Sequence, residues 1–188
     1  MENRKSKVHL LLSGGIDSAA CLQYFQSMGA MVSPLFVDYG QPARDAEKKS
    51  AESISEFYGV RLRTISVLGA SVPNSGEILG RNSLLISTAL LNMNPGVGLI
   101  SLGIHAGSPY FDCGTLFVDL WDKLLHGYTD GKVQLSVPFL RWAKTDIISF
   151  CSDHNVPLSL TWSCESGANL PCGKCLSCKD RESLNARP

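Results

Sequence analysis

The chain has 188 residues, with 17 Lys+Arg against 17 Asp+Glu, 44% hydrophobic and 18% charged, which fits one domain of roughly 100–200 residues and excludes a disordered segment. A formal net charge of zero removes the strongly basic face or tail that wraps duplex nucleic acid, so no direct nucleic-acid binding is expected. No apolar run of about 18 residues exists to span a bilayer, and Met1-Glu2-Asn3-Arg4-Lys5 leads into an apolar run broken by Ser13-Gly14-Gly15 rather than a cleavage site, so the chain reads as cytoplasmic with no membrane partner.

Taken in chain order, Val8 to Leu12 is a continuous apolar strand ending in a glycine turn, and Ile16 to Met28 is a helix. Met31 to Val37 is a second strand. Ala43 to Tyr58 is a helix with Ala46, Ala51, Ile54, Phe57 and Tyr58 expected on one apolar face, stopped by Gly59. A strand over Arg61 to Val67, a helix over Asn82 to Met93, a strand over Leu99 to His105, a helix over Phe117 to Leu125, a strand over Val133 to Val137 and a helix over Thr145 to His154 follow. Strands separated by helices imply a parallel α/β sheet covered on both faces, with ligands expected beyond the C-terminal strand ends at the switch point. From Trp162 to Pro188 periodicity gives way to Cys, Gly and Pro. The expected division is therefore a nucleotide-binding domain over 1–160 and a tail over 161–188 too short for its own core.

Ser13-Gly14-Gly15-Ile16-Asp17-Ser18 lies between a buried-type strand and a helix. Its glycines permit a tight turn, and its backbone N–H groups and two hydroxyls converge on one place that suits a phosphate. Asp17 is placed to hold a Mg²⁺. Neither a G-x-x-x-x-G-K-[ST] loop nor a G-x-G-x-x-G fingerprint occurs. The plain alternative is an ordinary βα turn in which Asp17 or Ser18 caps the helix. The full string resembles the PP-loop of ATP pyrophosphatases, which split ATP to AMP and pyrophosphate while adenylating a carbonyl oxygen.

The seven cysteines are about 4% of the chain, below the share of disulfide scaffolds, and odd in number. Cys164, Cys172, Cys175 and Cys178 form a C-x7-C-x2-C-x2-C array with Pro171 and Gly173 as bends. Four thiolates point to a closed, structural Zn²⁺, with an iron–sulfur cluster or redox chemistry as alternatives. Cys21 and Cys151 read as small core residues. Cys113 sits on the expected ligand face.

An N-terminal PP-loop, Thr161-Trp162-Ser163-Cys164, and the run from Cys172-Gly173-Lys174-Cys175 through Cys178-Lys179-Asp180-Arg181 together resemble the QueC family of 7-cyano-7-deazaguanine synthases over nearly the whole chain. Asp38-Tyr39-Gly40-Gln41, Gly80-Arg81-Asn82, Gly103, Tyr110 with Asp112-Cys113, and Lys144 extend the match. The resemblance implies an ATP-dependent ligase that activates the carboxylate of 7-carboxy-7-deazaguanine, captures ammonia as an amide, then dehydrates the amide to the nitrile for queuosine-type base synthesis. It implies ATP contacts at Leu12, Ser13, Gly14, Gly15, Ile16, Asp17, Ser18, Ala19, Ala20, Cys21, Leu22 and Arg81, and zinc on the four tail cysteines. Asp17, Asp112 and Lys144 become catalytic candidates. Tyr110, Asp112, Cys113 and Trp162 become substrate contacts, with Phe111 a further wall of an aromatic slot. The plain readings are surface ion pairs for Arg81 and Lys144 and a helix cap for Asp112. His105 is left outside the catalytic set, and homodimerisation is implied by resemblance alone.

The family usually carries Arg where this chain has Gly114, and a basic pair where it has Pro42-Ala43; little sequence separates Val67 from Gly80. These departures open a second reading, a QueC-like paralogue of bacterial defence systems that stops at the amide or conjugates the acid to a protein amine. Two others are tRNA thiolation, which lacks its catalytic cysteines and RNA-binding extension here, and a non-catalytic ATP-binding module.

Overall fold

The structure is a computed structural model that describes residues 6–73, 77–105, 107–168 and 170–183. The N-terminal Met1 to Lys5, the middle of the Val67–Gly80 stretch and the last residues of the tail lie outside the described residues. Five strands, β1 (Lys7–Leu11), β2 (Met31–Asp38), β3 (Arg63–Ser66), β4 (Leu99–Leu102) and β5 (Gln134–Ser136), form one sheet in the order β3-β2-β1-β4-β5. All neighbours are parallel, as expected. The six helices are α1 (Ile16–Ser27), α2 (Arg44–Phe57), α3 (Arg81–Leu91), α4 (Thr115–Thr129), α5 (Lys144–Asp153) and α6 (Leu176–Ser183).

Alternation along the strands builds two cores, because successive side chains leave opposite faces of a sheet. Leu10, Leu12 and Phe36 pack with Ala19, Leu22, Ile54 and Ile147 beneath α1, α2 and α5. Leu11, Leu35, Val37 and Ile100 pack with Ile86, Ala89, Phe117 and Leu125 beneath α3 and α4. Helix α1 buries seven of its twelve residues, Ile16, Ser18 to Leu22 and Phe25, and leaves Gln23, Gln26 and Ser27 on its less covered side. Helix α2 has a narrower contact than the sequence indicates. Ala51 and Ile54 are buried but Phe57 is 57% exposed, stacked edge-on against Tyr58 at the helix end.

Strand β4 stops at Leu102 rather than running to His105. At Gly103 a Cβ would come within 2.6 Å of the Asp17 carbonyl group, so the chain there is pressed against the first turn of α1 instead of pairing. Two 3-10 turns, Phe111–Cys113 and Leu158–Leu160, and helix α6 carry no periodic signal and appear only in the structure.

His9 stands in the middle of β1, paired with Ser33 and Ile100. It is 1% exposed, and its Nδ1 has no partner among the described residues. Burial, reinforced by the charge of Arg63, lowers its pKa below the usual 6.5. The unfolded chain therefore binds a proton that the folded chain refuses as pH drops below 6.5, so this stability is complete above 6.5 and lost through the lower folded value. The urea midpoint is expected to fall between pH 7.5 and 5.5, and to fall less in His9→Val; an equal drop in both would locate the sensitivity elsewhere.

Candidate functional site

The strand order reverses direction beside β1: the chain moves outward to β2 and β3, then returns to β4 on the other side. The crevice this leaves at the C-terminal strand ends is the ligand site of open α/β sheets. A cleft of about 560 Å³ lies there, walled by the β1–α1 loop, the β2–α2 loop, the start of α3, the segment after β4, Lys144 and the tail.

The β1–α1 loop is shaped by packing as much as by turn chemistry. Gly14 has φ +85°, and a Cβ on it would lie 2.5 Å from the Glu47 carbonyl oxygen and 2.9 Å from Ser50 Cβ, so α2 presses on the loop from behind. Gly15 caps α1 in an extended conformation, and its N–H points to Ser13 Oγ at 3.3 Å. Ser13 Oγ in turn donates to Ser18 Oγ at 3.2 Å, and Ser18 Oγ donates to the Gly15 carbonyl at 2.9 Å. Hydroxyls and N–H groups are thus gathered at the positive end of a 12-residue helix, the arrangement that binds phosphate.

Asp17, in the first turn of α1, is the electrostatic centre of the cleft. It pairs with Lys144 at the start of α5 and faces His105 Nε2 at 3.9 Å. His105 Nδ1 accepts the Gly107 N–H at 3.1 Å, which places the ring proton on Nε2, toward Asp17. Burial lowers the His105 pKa, with Asp17 opposing and Lys144 adding to the shift, so at neutral pH it stands as a neutral donor. Lys144 is a cleft residue rather than a surface ion-pair partner. Arg81 also lines the cleft, with its Nε donating to Asn82 Oδ1 at 3.3 Å.

Several sequence-derived residues fall elsewhere. Of the twelve nucleotide candidates, Leu12, Ser13, Gly15, Ile16, Asp17, Ser18 and Arg81 line the cleft. Ala19, Ala20, Cys21 and Leu22 belong to the core, each 0% exposed, because they pack into the cluster around Leu10, Phe36 and Phe139. Burial raises the Cys21 thiol well above its usual range. Gly14 turns its carbonyl to the Trp162 N–H at 2.9 Å.

Asp112 lines the cleft, but its carboxylate already works as a cap: Oδ2 accepts the Asn82 N–H at 3.2 Å, while Asn82 Nδ2 donates to the Asp112 carbonyl at 2.8 Å. The cap is on α3, thirty residues away in sequence, which no local pattern reveals. Cys113 is 5% exposed and burial raises its thiol, so it is a neutral wall and not an activated nucleophile. Tyr110 and Trp162 line the cleft, whereas Phe111 is 60% exposed and packs edge-on against Phe117.

Sequence reasoning missed Glu47. It lines the cleft, its Oε2 accepts from Gln41 Nε2 at 3.0 Å, and burial raises its pKa. In a helix as rich in charge as α2, nothing distinguishes it from its solvated neighbours.

In the tail the four Sγ atoms of Cys164, Cys172, Cys175 and Cys178 lie within 4.8 Å of one another, near the separation of about 3.8 Å that tetrahedral metal–sulfur bonds of about 2.3 Å require. Backbone N–H groups of Lys174 and Cys175 point at Cys172 Sγ at 3.4 and 3.3 Å, and the Cys172 N–H points at Cys164 Sγ at 3.2 Å. The two N–H groups on Cys172 bring its thiol down to about 6. Donor set and N–H pattern fit a thiolate-bound metal. Glu165 closes the loop by accepting from Ser177 Oγ at 2.7 Å, and Gly167 presses on the Pro42 carbonyl, where a Cβ would lie at 2.5 Å.

Replacing Gly14 by Ala adds a strained φ and a clash with backbone that cannot swing aside, and is expected to cost about 2 kcal/mol or more. Equilibrium urea unfolding checks this; a loss below about 0.5 kcal/mol would show that α2 retreats freely.

The family model for the queuosine biosynthesis protein QueC matches residues 7–75 and 69–186. A 7-cyano-7-deazaguanine synthase of Prochlorococcus marinus (strain MIT 9515) is 33% identical over 213 aligned positions, covering 97% of this chain and 93% of the relative. One from Synechococcus sp. (strain CC9902) is 33% identical, covering 92% and 89%. Among solved structures, a 4-thiouridine synthetase–RNA complex with bound ATP superposes with a TM-score of 0.55 at 17% identity, covering 96% of this chain and 50% of that one, which is a likeness of fold. With its loop, its cleft and its cysteine cluster arranged in this way, the chain belongs to the QueC family.

Proposed function

We propose that this protein converts 7-carboxy-7-deazaguanine to 7-cyano-7-deazaguanine with ATP and ammonia through the amide. The observation that carries this reading is the convergence of the Ser13–Ser18 loop, the Asp17–Lys144 pair and Arg81 on one cleft at the switch point in a chain of this family.

The substrate carboxylate oxygen attacks the α-phosphorus of ATP, pyrophosphate leaves, and ammonia then displaces AMP to give the amide. The amide oxygen then attacks the α-phosphorus of a second ATP, a second pyrophosphate leaves, and loss of AMP with the two amide N–H protons leaves the nitrile. The loop N–H groups and the Ser13 and Ser18 hydroxyls hold the departing pyrophosphate, where preorganised donors act most strongly. Asp17 would hold the Mg²⁺, and Lys144 and Arg81, which line the same cleft, would offer their charges to the phosphates. Magnesium supplies neutralisation of the phosphate oxygens. Tyr110 and Trp162 flank the planar base, while Asp112 and Cys113 form the wall behind it. Glu47, a carboxyl with a raised pKa, is a further candidate to move protons. Zn²⁺ on the four cysteines is structural, since a closed set of four leaves no open position, and it orders the tail over 161–188 against the nucleotide-binding unit over 1–160.

Purified protein with ATP, Mg²⁺, ammonium and 7-carboxy-7-deazaguanine is expected to release AMP and pyrophosphate and form the nitrile mass. Asp17→Asn is expected to lose turnover with an unchanged circular dichroism spectrum. AMP with only amide, or a deazaguanine mass on a protein amine, would favour the diverted paralogue that Gly114 allows; ATP bound but intact would leave a binding module.

A homodimer through α4 fits the surface. Leu116, Leu120, Leu124 and Tyr128 recur every four residues and stand 60, 45, 47 and 73% exposed, a stripe wider than a free helix face carries. An antiparallel pairing of two copies of α4 would lay this stripe on itself, a self-complementary contact. Analytical ultracentrifugation is expected to show a dimer that Leu120→Lys turns to monomer; a dimeric Leu120→Lys would move the interface elsewhere.

A further inference from the structure

The mechanism leaves Arg181 without a task, although it lines the cleft and is among the most heavily bonded side chains of the molecule. Its Nη2 donates to the Leu158 carbonyl at 2.8 Å, and its Nη1 reaches the Thr161 carbonyl at 3.2 Å, Thr161 Oγ1 at 3.0 Å and Ser163 Oγ at 3.1 Å. Every acceptor lies in the segment 158–163. Burial lowers the guanidinium pKa, and its Nε is buried with no partner among the described residues, so a solvated charge has been given up to hold this one strand of backbone. A surface arginine in a helix needs none of this.

Segment 158–163 leads directly to the phosphate-binding loop. The Trp162 backbone N–H donates to the Gly14 carbonyl at 2.9 Å. Because a trans peptide is planar with its C=O and N–H opposed, pinning that carbonyl aims the N–H of Gly15 the other way, toward Ser13 Oγ and the loop's interior. Both supports of the segment end in metal ligands. Helix α6, which carries Arg181, starts immediately after Cys175 and contains Cys178. On the other side, the Trp162 indole N–H donates to the Cys164 carbonyl at 2.8 Å.

We propose that Arg181 is a positioning residue that couples the cysteine-bound metal to the nucleotide loop, so that gathering the four thiolates sets the Gly14–Gly15 peptide in its phosphate-binding orientation. The proposal rests on the reading of that loop as the ATP site. Preorganisation of this kind raises affinity by removing the ordering cost of binding, and linkage makes it reciprocal: bound nucleotide must tighten the metal by the same factor.

The test uses the metal-loaded chain, Mg²⁺ and α,β-methylene-ATP in titration calorimetry, with metal content by elemental analysis and metal release to a colorimetric chelator. Wild type is expected to bind the analogue and to release metal more slowly with it present. Arg181→Ala is expected to keep its metal, bind the analogue about tenfold more weakly and lose the protection of the metal. Thr161→Val, which at similar volume removes the hydroxyl that accepts from Arg181 and donates to the Leu158 carbonyl, weakens binding in the same direction, and Thr161→Ser restores it. Wild-type affinity in metal-loaded Arg181→Ala, or in Thr161→Val should the first variant not fold, overturns the coupling, as does a fall in melting temperature with unchanged affinity. Failure of wild type to bind the analogue overturns the loop assignment instead.

Discussion

Two backbone approaches closer than any Cβ allows organise this molecule. At Gly14 the first loop lies against α2, and at Gly103 the end of β4 lies against the first turn of α1. Together they press the β1–α1 turn between its two neighbours at the point where the strand order reverses. A wider gap at either place would let the N-terminus of α1 tilt, and its N–H groups would no longer share a focus with Ser13 and Ser18. The glycines are therefore packing residues as much as turn residues, and the anion site follows from the packing.

The cleft is charged on both sides and its charges hold one another in place. Asp17 balances Lys144 and faces a neutral His105; Glu47 leans on Gln41; Asp112 spends its carboxylate on α3. In a partly dehydrated crevice each pairing matters more than on the surface, because the dielectric around it is low. A polyphosphate entering this network displaces an existing partner of Lys144 rather than meeting a free cation. Tyr110, beside the 3-10 turn, and Trp162, between loop and tail, line the same cleft and are the residues proposed to flank the base.

The tail obeys a different constraint. With few apolar side chains it cannot form a core, and its described contacts are mostly polar: hydrogen bonds around sulfur, the Glu165–Ser177 closure, the Arg181 and Trp162 hydrogen bonds, and the close approach at Gly167. A metal on its four cysteines would supply the order that such a segment lacks. Docking that segment against the nucleotide loop puts an ordering device for the tail within one residue's reach of the reaction.

The sheet and its helices were legible in the sequence because parallel strands buried on both faces read as unbroken apolar runs and glycines punctuate them. The loop and the four cysteines were legible because their chemistry needs particular residue types at short spacing, Ser13 to Ser18 in one turn and Cys172, Cys175 and Cys178 in another. Helix α6 and the turn at Phe111–Cys113 were hidden, since neither has an apolar period. Also hidden were Asp112 as a cap for α3, Glu47 as a cleft residue, and Arg181 as the link to Trp162. Asp112 and Arg181 join segments well separated in the chain, and Glu47 faces a cleft that several separate segments build; such partners are set by how the layers stack, not by neighbours in sequence. The sequence alone determined which chemical groups the protein owns and the fold that carries them; the tertiary structure decided which of those groups face the cleft and which are consumed holding it open.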